Sequence, residues 1–312
     1  MRIWSGCMAN KTVIDLLEDF SFRHAKIDQE NERRMKSDAQ IMGLEEKKRA
    51  LLAEKLKRAF LAEDATGFDA EIMELERRQE EIARKKGLMV PYACAACRDT
   101  GLVGRKYCTC FLREVYQTIY GAVDVDTVAE CFGRADMSVF DGKKELAMGR
   151  TQRSLAELAY GICKKYVDSF PQTPRLNLLL RGKAGLGKSY LLRCIAAAAR
   201  EKGVDVCLIR AGELFGAFFR HRMGEEMPLS FLQDAQLLLI DDLGTEPMTQ
   251  NVTTEYLFDL LNRRIEAGRH TAVATNVEDL QARYGERISS RLESRECAVL
   301  MLDGEDLRLR RA

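Results

Sequence analysis

From Leu176 to Leu302 the chain alternates short apolar runs with longer stretches of helical spacing. Leu176-Asn177-Leu178-Leu179-Leu180, Val204-Asp205-Val206-Cys207-Leu208-Ile209, Ala235 to Asp242, Thr271 to Asn276 and Ala298 to Leu302 read as strands. Runs this apolar, bounded by turn residues, suit strands buried on both faces. Tyr190 to Arg200, Glu213 to Met223, Thr253 to Glu266 and a stretch ending at Leu292 read as helices between them. Leu155 to Phe170 is a helix closed by Pro171 and Pro174. Strands interleaved with helices imply an α/β fold with a parallel sheet covered on both sides.

The first part of the chain has a different pattern. Residues 11 to about 87 carry dense charge of both signs, as on solvent-facing helices. Leu44, Leu51, Leu52, Leu56 and Phe60 form one apolar stripe, and Phe68, Ile72, Leu75 and Ile82 a second. Asp64-Ala65-Thr66-Gly67 between them reads as a helix stop and a new cap. The pattern predicts a helical hairpin after a shorter helix near Thr12 to Arg23. It could be a solvated spacer or a surface that docks a partner. Phe111 to Tyr120 is helical, and periodicity then fails through Asp124, Gly133, Asp141 and Gly142. The expected organisation is a helical region 1–90, a cysteine module 91–112, a linker 113–150 and an α/β domain 151–312.

Composition narrows the classes. The net charge is only +1, so any nucleic-acid contact must come from a local patch. No apolar run approaches the ~20 residues of a membrane span. Met1 to Asn10 lacks the apolar region of a signal peptide, and Met8 is an alternative start. Of ten cysteines, Cys7, Cys131, Cys163, Cys194, Cys207 and Cys297 are scattered singly, some in core elements. That usage fits reduced thiols and a cytoplasmic location.

The remaining four are paired: Cys94-Ala95-Ala96-Cys97 and Cys108-Thr109-Cys110, with a glycine-bearing turn between. Four thiolates around one tetrahedral Zn²⁺ leave no open position, so such a site is structural. The stretch is too short to bury a core and would owe its fold to the metal. A redox pair or incidental thiols are the alternatives, although C-x-x-C redox sites belong beside a βαβ unit.

Chemistry concentrates at Gly182-Lys183-Ala184-Gly185-Leu186-Gly187-Lys188-Ser189, which fits G-x-x-x-x-G-K-[ST] between a strand and the helix opening at Tyr190. Such a loop turns successive N–H groups inward onto the phosphates of a nucleoside triphosphate. Lys188 would reach the β- and γ-phosphates and Ser189 would ligate Mg²⁺. Leu237 to Asp242 is an apolar strand ending in two acids. Asp241 would hold Mg²⁺ through its water shell, and Asp242 is the candidate base for the attacking water. Asn276, at the end of another strand, could orient that water; a strand-end Asn can equally be a turn residue.

These residues carry a resemblance. With Leu239-Ile240-Asp241-Asp242-Leu243-Gly244-Thr245-Glu246, Ala274-Thr275-Asn276, Tyr284 to Leu292 and Gly304-Glu305-Asp306-Leu307-Arg308, the chain from Leu176 to Arg310 resembles the AAA+ ATPase domain of the DnaC/DnaI family of replicative helicase loaders. The cysteine stretch through Asp99-Thr100-Gly101 is similar to the zinc module of DnaI-like members. The resemblance implies that Asn276 is a sensor, Arg287 an arginine finger for a neighbouring subunit (Arg291 being the alternative), and Arg308 the C-terminal sensor. It implies ATP, Mg²⁺ and Zn²⁺ as cofactors. It also implies a hexameric replicative helicase, single-stranded DNA and further copies of this chain as partners. In one respect the chain departs from the family: many AAA+ proteins have Glu where Asp242 stands, one methylene longer, so slow turnover is expected. For single-stranded DNA, Phe218, Phe219, Arg220 and Arg222 interleave aromatics with charge, although Phe215, Phe218 and Phe219 also have core spacing. An IstB-type transposition helper and a non-hydrolysing nucleotide-switched adaptor are the competing readings.

Overall fold

The structure, a computed structural model, describes residues 12–310 apart from 62–63, 65, 120, 126–127, 147–148, 226–228 and 250–251. Met8, Ala65 and Tyr120, which figure in the sequence reading, lie outside the described residues. The chain divides into two compact units, one essentially Ile14–Phe111 and the other Leu112–Ala312.

The first unit opens with three helices, α1 (Val13–Lys36), α2 (Ala39–Phe60) and α3 (Phe68–Lys85). Helix α1 extends well beyond the expected Arg23. Its second half has little apolar periodicity and is laced by Glu30 with Arg33 and Arg34 and by Glu32 with Lys36. Such i,i+3 and i,i+4 pairs support a helix that packing alone would not reveal. Asp38 caps α2, accepting from the N–H groups of Gln40 and Ile41. Helices α2 and α3 form the expected hairpin, crossed by buried Gln79, which donates to the Ile41 carbonyl and to Glu45. The apolar stripe of α2 does not all face its partner, however. Leu56 is 69% and Phe60 91% exposed, while Ile41 and Ile72 are buried. A two-residue hairpin, β1 (Leu102–Val103) and β2 (Lys106–Tyr107), then leads into α4 (Thr109–Thr118).

The second unit contains α5 (Gln152–Asp168), β3 (Asn177–Arg181), α6 (Lys188–Glu201), β4 (Val206–Arg210), α7 (Ala211–Arg222), α8 (Ser230–Asp234) and β5 (Leu237–Leu243). It continues with α9 (Thr253–Glu266), β6 (His270–Thr275), α10 (Leu280–Tyr284), α11 (Glu286–Leu292) and β7 (Cys297–Met301). The five strands form a wholly parallel sheet in the order β4-β5-β6-β3-β7. Strand β3 and its successor β4 are therefore not neighbours, since β5 and β6 lie between them. Such a reversal opens a crevice at the carboxyl ends of the strands. Leu178, Leu180, Leu239, Ala272 and Leu300 on one face of the sheet join Cys163 of α5 and Leu192 and Ile195 of α6 in one core.

A buried cation braces the far end of the sheet. Arg264 of α9 is fully enclosed and donates to the carbonyls of Leu232, Gln233, Ala235 and His270 and to Thr271 Oγ1. Burial lowers its pKa to about 10, so it stays charged near neutrality. The carbonyls supply what a carboxylate would otherwise provide. No helix among the described residues is long and apolar enough to cross a membrane.

Candidate nucleotide site and cysteine cluster

Strand β3 delivers the glycine-rich loop to the crevice. Gly182 has φ +151°, and a Cβ there would lie 2.1 Å from the Leu302 carbonyl oxygen. Gly185 has φ +74°, and a Cβ there would lie 1.7 Å from Asp306 Oδ1. Neither position admits a side chain. Helix α6 begins at Lys188, so its N-terminal amides and dipole face the loop. Lys188 is buried and spans the loop, donating to the carbonyls of Gly182 (2.7 Å) and Lys183 (2.6 Å). Burial lowers its pKa against the opposing pull of Asp242 and Asp241. Those carbonyls hold the ammonium where an incoming phosphate can exchange for them.

Strand β5 brings the acids alongside. Ser189 Oγ donates to Asp241 Oδ1 at 2.9 Å, and the Asp242 N–H donates to the same oxygen at 3.0 Å. Asp241 is 6% exposed, and burial raises its pKa. A hydroxyl and a carboxylate oxygen in contact, beside a phosphate-shaped loop, are a donor set for a hard divalent cation. The residues fit Mg²⁺. Asp242 adopts φ +55°, a left-handed conformation that non-glycine residues rarely occupy and that is concentrated at functional sites. Thr245 Oγ1 closes the turn by donating to the Asp242 carbonyl at 2.9 Å. Asn276 lies one residue beyond β6, which ends at Thr275, and is exposed at the cleft.

The cleft has a volume of about 630 Å³ and is lined by Lys188, Ser189, Tyr190, Asp242, Asn276 and Arg308, among others. Arg308 is not extended toward the phosphates. Its guanidinium is paired with Asp306 at 2.6–3.1 Å, and the Leu307 N–H donates to the Gly185 carbonyl at 3.0 Å. The carboxyl-terminal segment is thereby docked on the loop.

One wall escaped sequence reasoning. Met137, Val139 and Phe140, in the stretch expected to be a linker, line the cleft together with Ala156 and Leu302. Two single-turn 3₁₀ elements, Phe132–Arg134 and Met137–Val139, place them there. An Arg153 guanidinium bonded to the Phe140 carbonyl holds them against α5. Such turns have no periodicity to detect; the apolar Met-Ser-Val-Phe cluster before the first domain helix was the available signal. Its chemistry suits a flat aromatic base.

Arg287 is not among the residues lining this cleft. It sits on α11, exposed, with its guanidinium carbon 4.0 Å from the centroid of the Phe258 ring. Arg291 lies 4.1 Å from the same ring, but its guanidinium is committed to Asn262 Oδ1 and the Arg287 carbonyl. The aromatic and basic cluster on α7 is split. Phe218 is 1% exposed and packs on Phe215 and Tyr256, so it cannot stack a base as expected. Phe219 is 48% exposed and Arg222 is exposed, whereas the half-buried Arg220 donates to the Ile119 carbonyl. The helical face that completes the core takes Phe218 with it.

The family comparison bears on this site directly. Residues 141–311 match the model of the IstB-like ATP binding protein family. The chain belongs to that family. Among curated proteins, this IstB-like chain is 25% identical to the replicative helicase loader DnaI of Bacillus subtilis (strain 168) over 159 residues, 46% of this chain and 51% of that protein. It spans about half the length of that relative. Similar solved structures include a crystal structure of DnaI, with 21% identity and a TM-score of 0.42 over 60% of this chain and 94% of that one. Another is a crystal structure of the DnaC helicase loader, with 20% identity and a TM-score of 0.42 over 55% and 98%.

In the other unit, Cys94, Cys97, Cys108 and Cys110 bring their sulfurs within 4.8 Å of one another. Cys94 and Cys108 Sγ are 3.8 Å apart, and Cys97 and Cys110 Sγ 3.4 Å. Zn–S bonds of about 2.3 Å in a tetrahedron require sulfurs about 3.8 Å apart. The thiols fit that ion. Buried Asp99 supports them by accepting from the N–H groups of Ala93 and Cys94. Burial and three neighbouring thiols push Cys110 far up, while at Cys94 burial is outweighed by hydrogen bonds from the Cys97 and Ala96 N–H groups and the Cys110 and Cys97 thiols, which bring it to about 7. Four sulfurs this close cannot all ionise without a cation among them. A larger cavity of about 850 Å³ lies in the same unit, but its buried Asn31 and Gln79 amides are already bonded within the protein.

Proposed function

We propose that this chain is an ATP-driven loader that helps place a hexameric replicative helicase on single-stranded DNA. The observation that carries the reading is the cleft itself: a phosphate loop, Ser189 touching Asp241, and a strained Asp242 beside Asn276. The likeness to DnaI, a replicative helicase loader, selects among ATP-dependent roles.

In this reading the loop amides and Lys188 hold the β- and γ-phosphates, with Lys188 leaving the Gly182 and Lys183 carbonyls for them. Met137, Val139 and Phe140 take the base. Ser189 and Asp241 would hold Mg²⁺, which when bound supplies charge neutralisation on the transferring phosphoryl group. Asp242, with Asn276, orients a water for in-line attack on the γ-phosphorus. The bond to the bridging oxygen breaks, ADP departs and the water's proton passes to Asp242. Arg308 would exchange Asp306 for the γ-phosphate. Arg287, which does not line its own cleft, would complete a neighbouring subunit's site in trans, which makes self-association part of the mechanism. The four-cysteine module holds structural Zn²⁺, and Phe219 and Arg222 remain as the single-stranded DNA contact.

Co-purification with a hexameric replicative helicase, followed by ATP-dependent transfer of that helicase onto circular single-stranded DNA, tests the function. Single-turnover hydrolysis with Mg²⁺ separates a loader from a non-hydrolysing adaptor. Turnover without helicase association would instead favour the transposition-helper reading.

A further inference from the structure

The turn that follows the two acids is joined to the short helix α10 that leads into the Arg287 helix, and the join runs through one carboxylate. The Glu246 side chain is fully enclosed. One of its oxygens accepts from the Gly244 N–H at 2.8 Å, and the other accepts a short hydrogen bond from the Tyr284 hydroxyl. Arg283 adds a guanidinium 3.6 Å from the carboxylate and donates to the Glu246 carbonyl at 2.7 Å. Its Nε is buried without a hydrogen-bond partner.

Both ends of this link sit at places where the backbone is unusual. Gly244 has φ +112°, and a Cβ there would come 2.2 Å from Val277, so the turn after Asp242 is pressed against the end of β6. Thr275 Oγ1 fixes it from below by donating to the Leu243 carbonyl. At the other end Tyr284 is 3% exposed and closes α10. Gly285, at φ +84° and ψ +165°, then redirects the chain into α11, whose second residue is Arg287. The Tyr284 phenol is thus the last anchored group before the hinge that aims the arginine. Burial and the adjacent carboxylate raise its pKa, so it remains a donor at any working pH.

A single buried carboxylate is an expensive way to join two loops, because a neutral pair of similar size would avoid its desolvation. Its two oxygens accept simultaneously from the acid turn and from the residue preceding the hinge. We propose that Glu246 and Tyr284 are positioning residues that hold the Arg287 helix in the orientation a neighbouring subunit's site requires. The proposal rests on the trans reading of Arg287 given above.

Tyr284→Phe tests it, since the ring stays packed and one hydroxyl is lost. Mixed assemblies, with co-assembly verified by cross-linking, are compared for ATP turnover. The parent mixture pairs Lys188→Ala subunits, which supply fingers, with Arg287→Ala subunits, which supply sites. Adding Tyr284→Phe to the finger-supplying subunit should lower the recovered turnover, by as much as ~10²-fold if the guanidinium moves about 1 Å. Adding it to the site-supplying subunit should leave turnover unchanged, and nucleotide affinity of the Tyr284→Phe protein should match the wild type. Glu246→Gln, whose amide cannot accept at both ends, should produce a loss in the finger arm and guards against a fold defect peculiar to one variant. Equal losses in both arms, or no loss in the finger arm, overturn the positioning role while leaving the trans reading intact. No turnover in the parent mixture despite co-assembly overturns the trans reading, and the proposal falls with it.

Discussion

Asp241→Asn separates what the fold needs from what the nucleotide needs. The carboxylate is 6% exposed, and burial raises its pKa, with Asp242 adding repulsion that the Ser189 hydroxyl and the Asp242 N–H only partly offset. A carboxyl whose folded pKa is raised contributes stability below its unfolded pKa and loses it as pH rises through the folded value. The penalty therefore begins near the ordinary value of 3.8 and grows as pH rises through the raised one. The amide oxygen of Asn can still accept from Ser189 Oγ and the Asp242 N–H. What is lost is the charge assistance on two hydrogen bonds, about 1 kcal/mol each. What is removed is the desolvation penalty of a buried ion, still several kcal/mol in real proteins. Desolvation wins. Without Mg²⁺ and nucleotide at pH 7, Asp241→Asn should be more stable by about 1 kcal/mol, a rise of roughly 2–4 °C in Tm for a unit of this size. With Mg²⁺-ATP at about 100 times Kd the wild type gains about 2.7 kcal/mol that the variant largely forgoes, so the order reverses. Thermal unfolding in both conditions, the ligand-free one in magnesium-free buffer without chelator to spare the cysteine site, reads both effects. A variant less stable than wild type without ligand would show that the carboxylate is a structural strut and refute the reasoning.

Further outcomes follow from other residues. Phe140→Ala, which strips the aromatic wall of the base pocket, should weaken nucleotide binding by about tenfold, since an aromatic contact is worth about 1 kcal/mol beyond its buried area. Unchanged affinity in a titration would remove the 3₁₀ segment from the site. Metal analysis should find one Zn²⁺ per chain. Because thiolates must lose protons to bind, that zinc should be released progressively as pH falls; a chain with well under one zinc and four free thiols would exclude the assignment. Arg264→Met should cost about 3 kcal/mol or more, because the Leu232, Ala235 and His270 carbonyls lose a buried donor together. An unchanged Tm would contradict the bracing role.

What the sequence disclosed was whatever repeats locally. Apolar runs disclosed the parallel strands, and fixed spacing disclosed the glycine loop, the acid pair and the four cysteines. Thr253 to Glu266 was legible to the residue because Leu257, Leu260 and Leu261 recur at helical spacing and are buried. Contacts set by tertiary packing stayed hidden. Leu56 and Phe60 share a stripe with the half-buried Leu44 and Leu51 yet face outward, and Phe218 is buried while its neighbour Phe219 is 48% exposed. Arg264 gave no sign of burial, because its partners are carbonyls that every residue possesses. Glu246 looked like the tail of a motif, and only the fold brings Tyr284 to it.

The strand order carries a consequence for how the chain acquires its site. Leu179 in β3 pairs with Val273 on one side and Val299 on the other, while its successor β4 lies three strands away. During synthesis the phosphate loop therefore emerges long before the strands that flank it. Non-local pairings of this kind incur loop-closure entropy before any contact rewards it, and they fold slowly. Until β7 arrives, β3 has an unpaired edge, and Gly182 lacks the Leu302 carbonyl that packs against it. Nascent chains should thus be unable to bind ATP until β7 and Leu302 are available, and in the meantime they expose strand edges of the kind that chaperones protect.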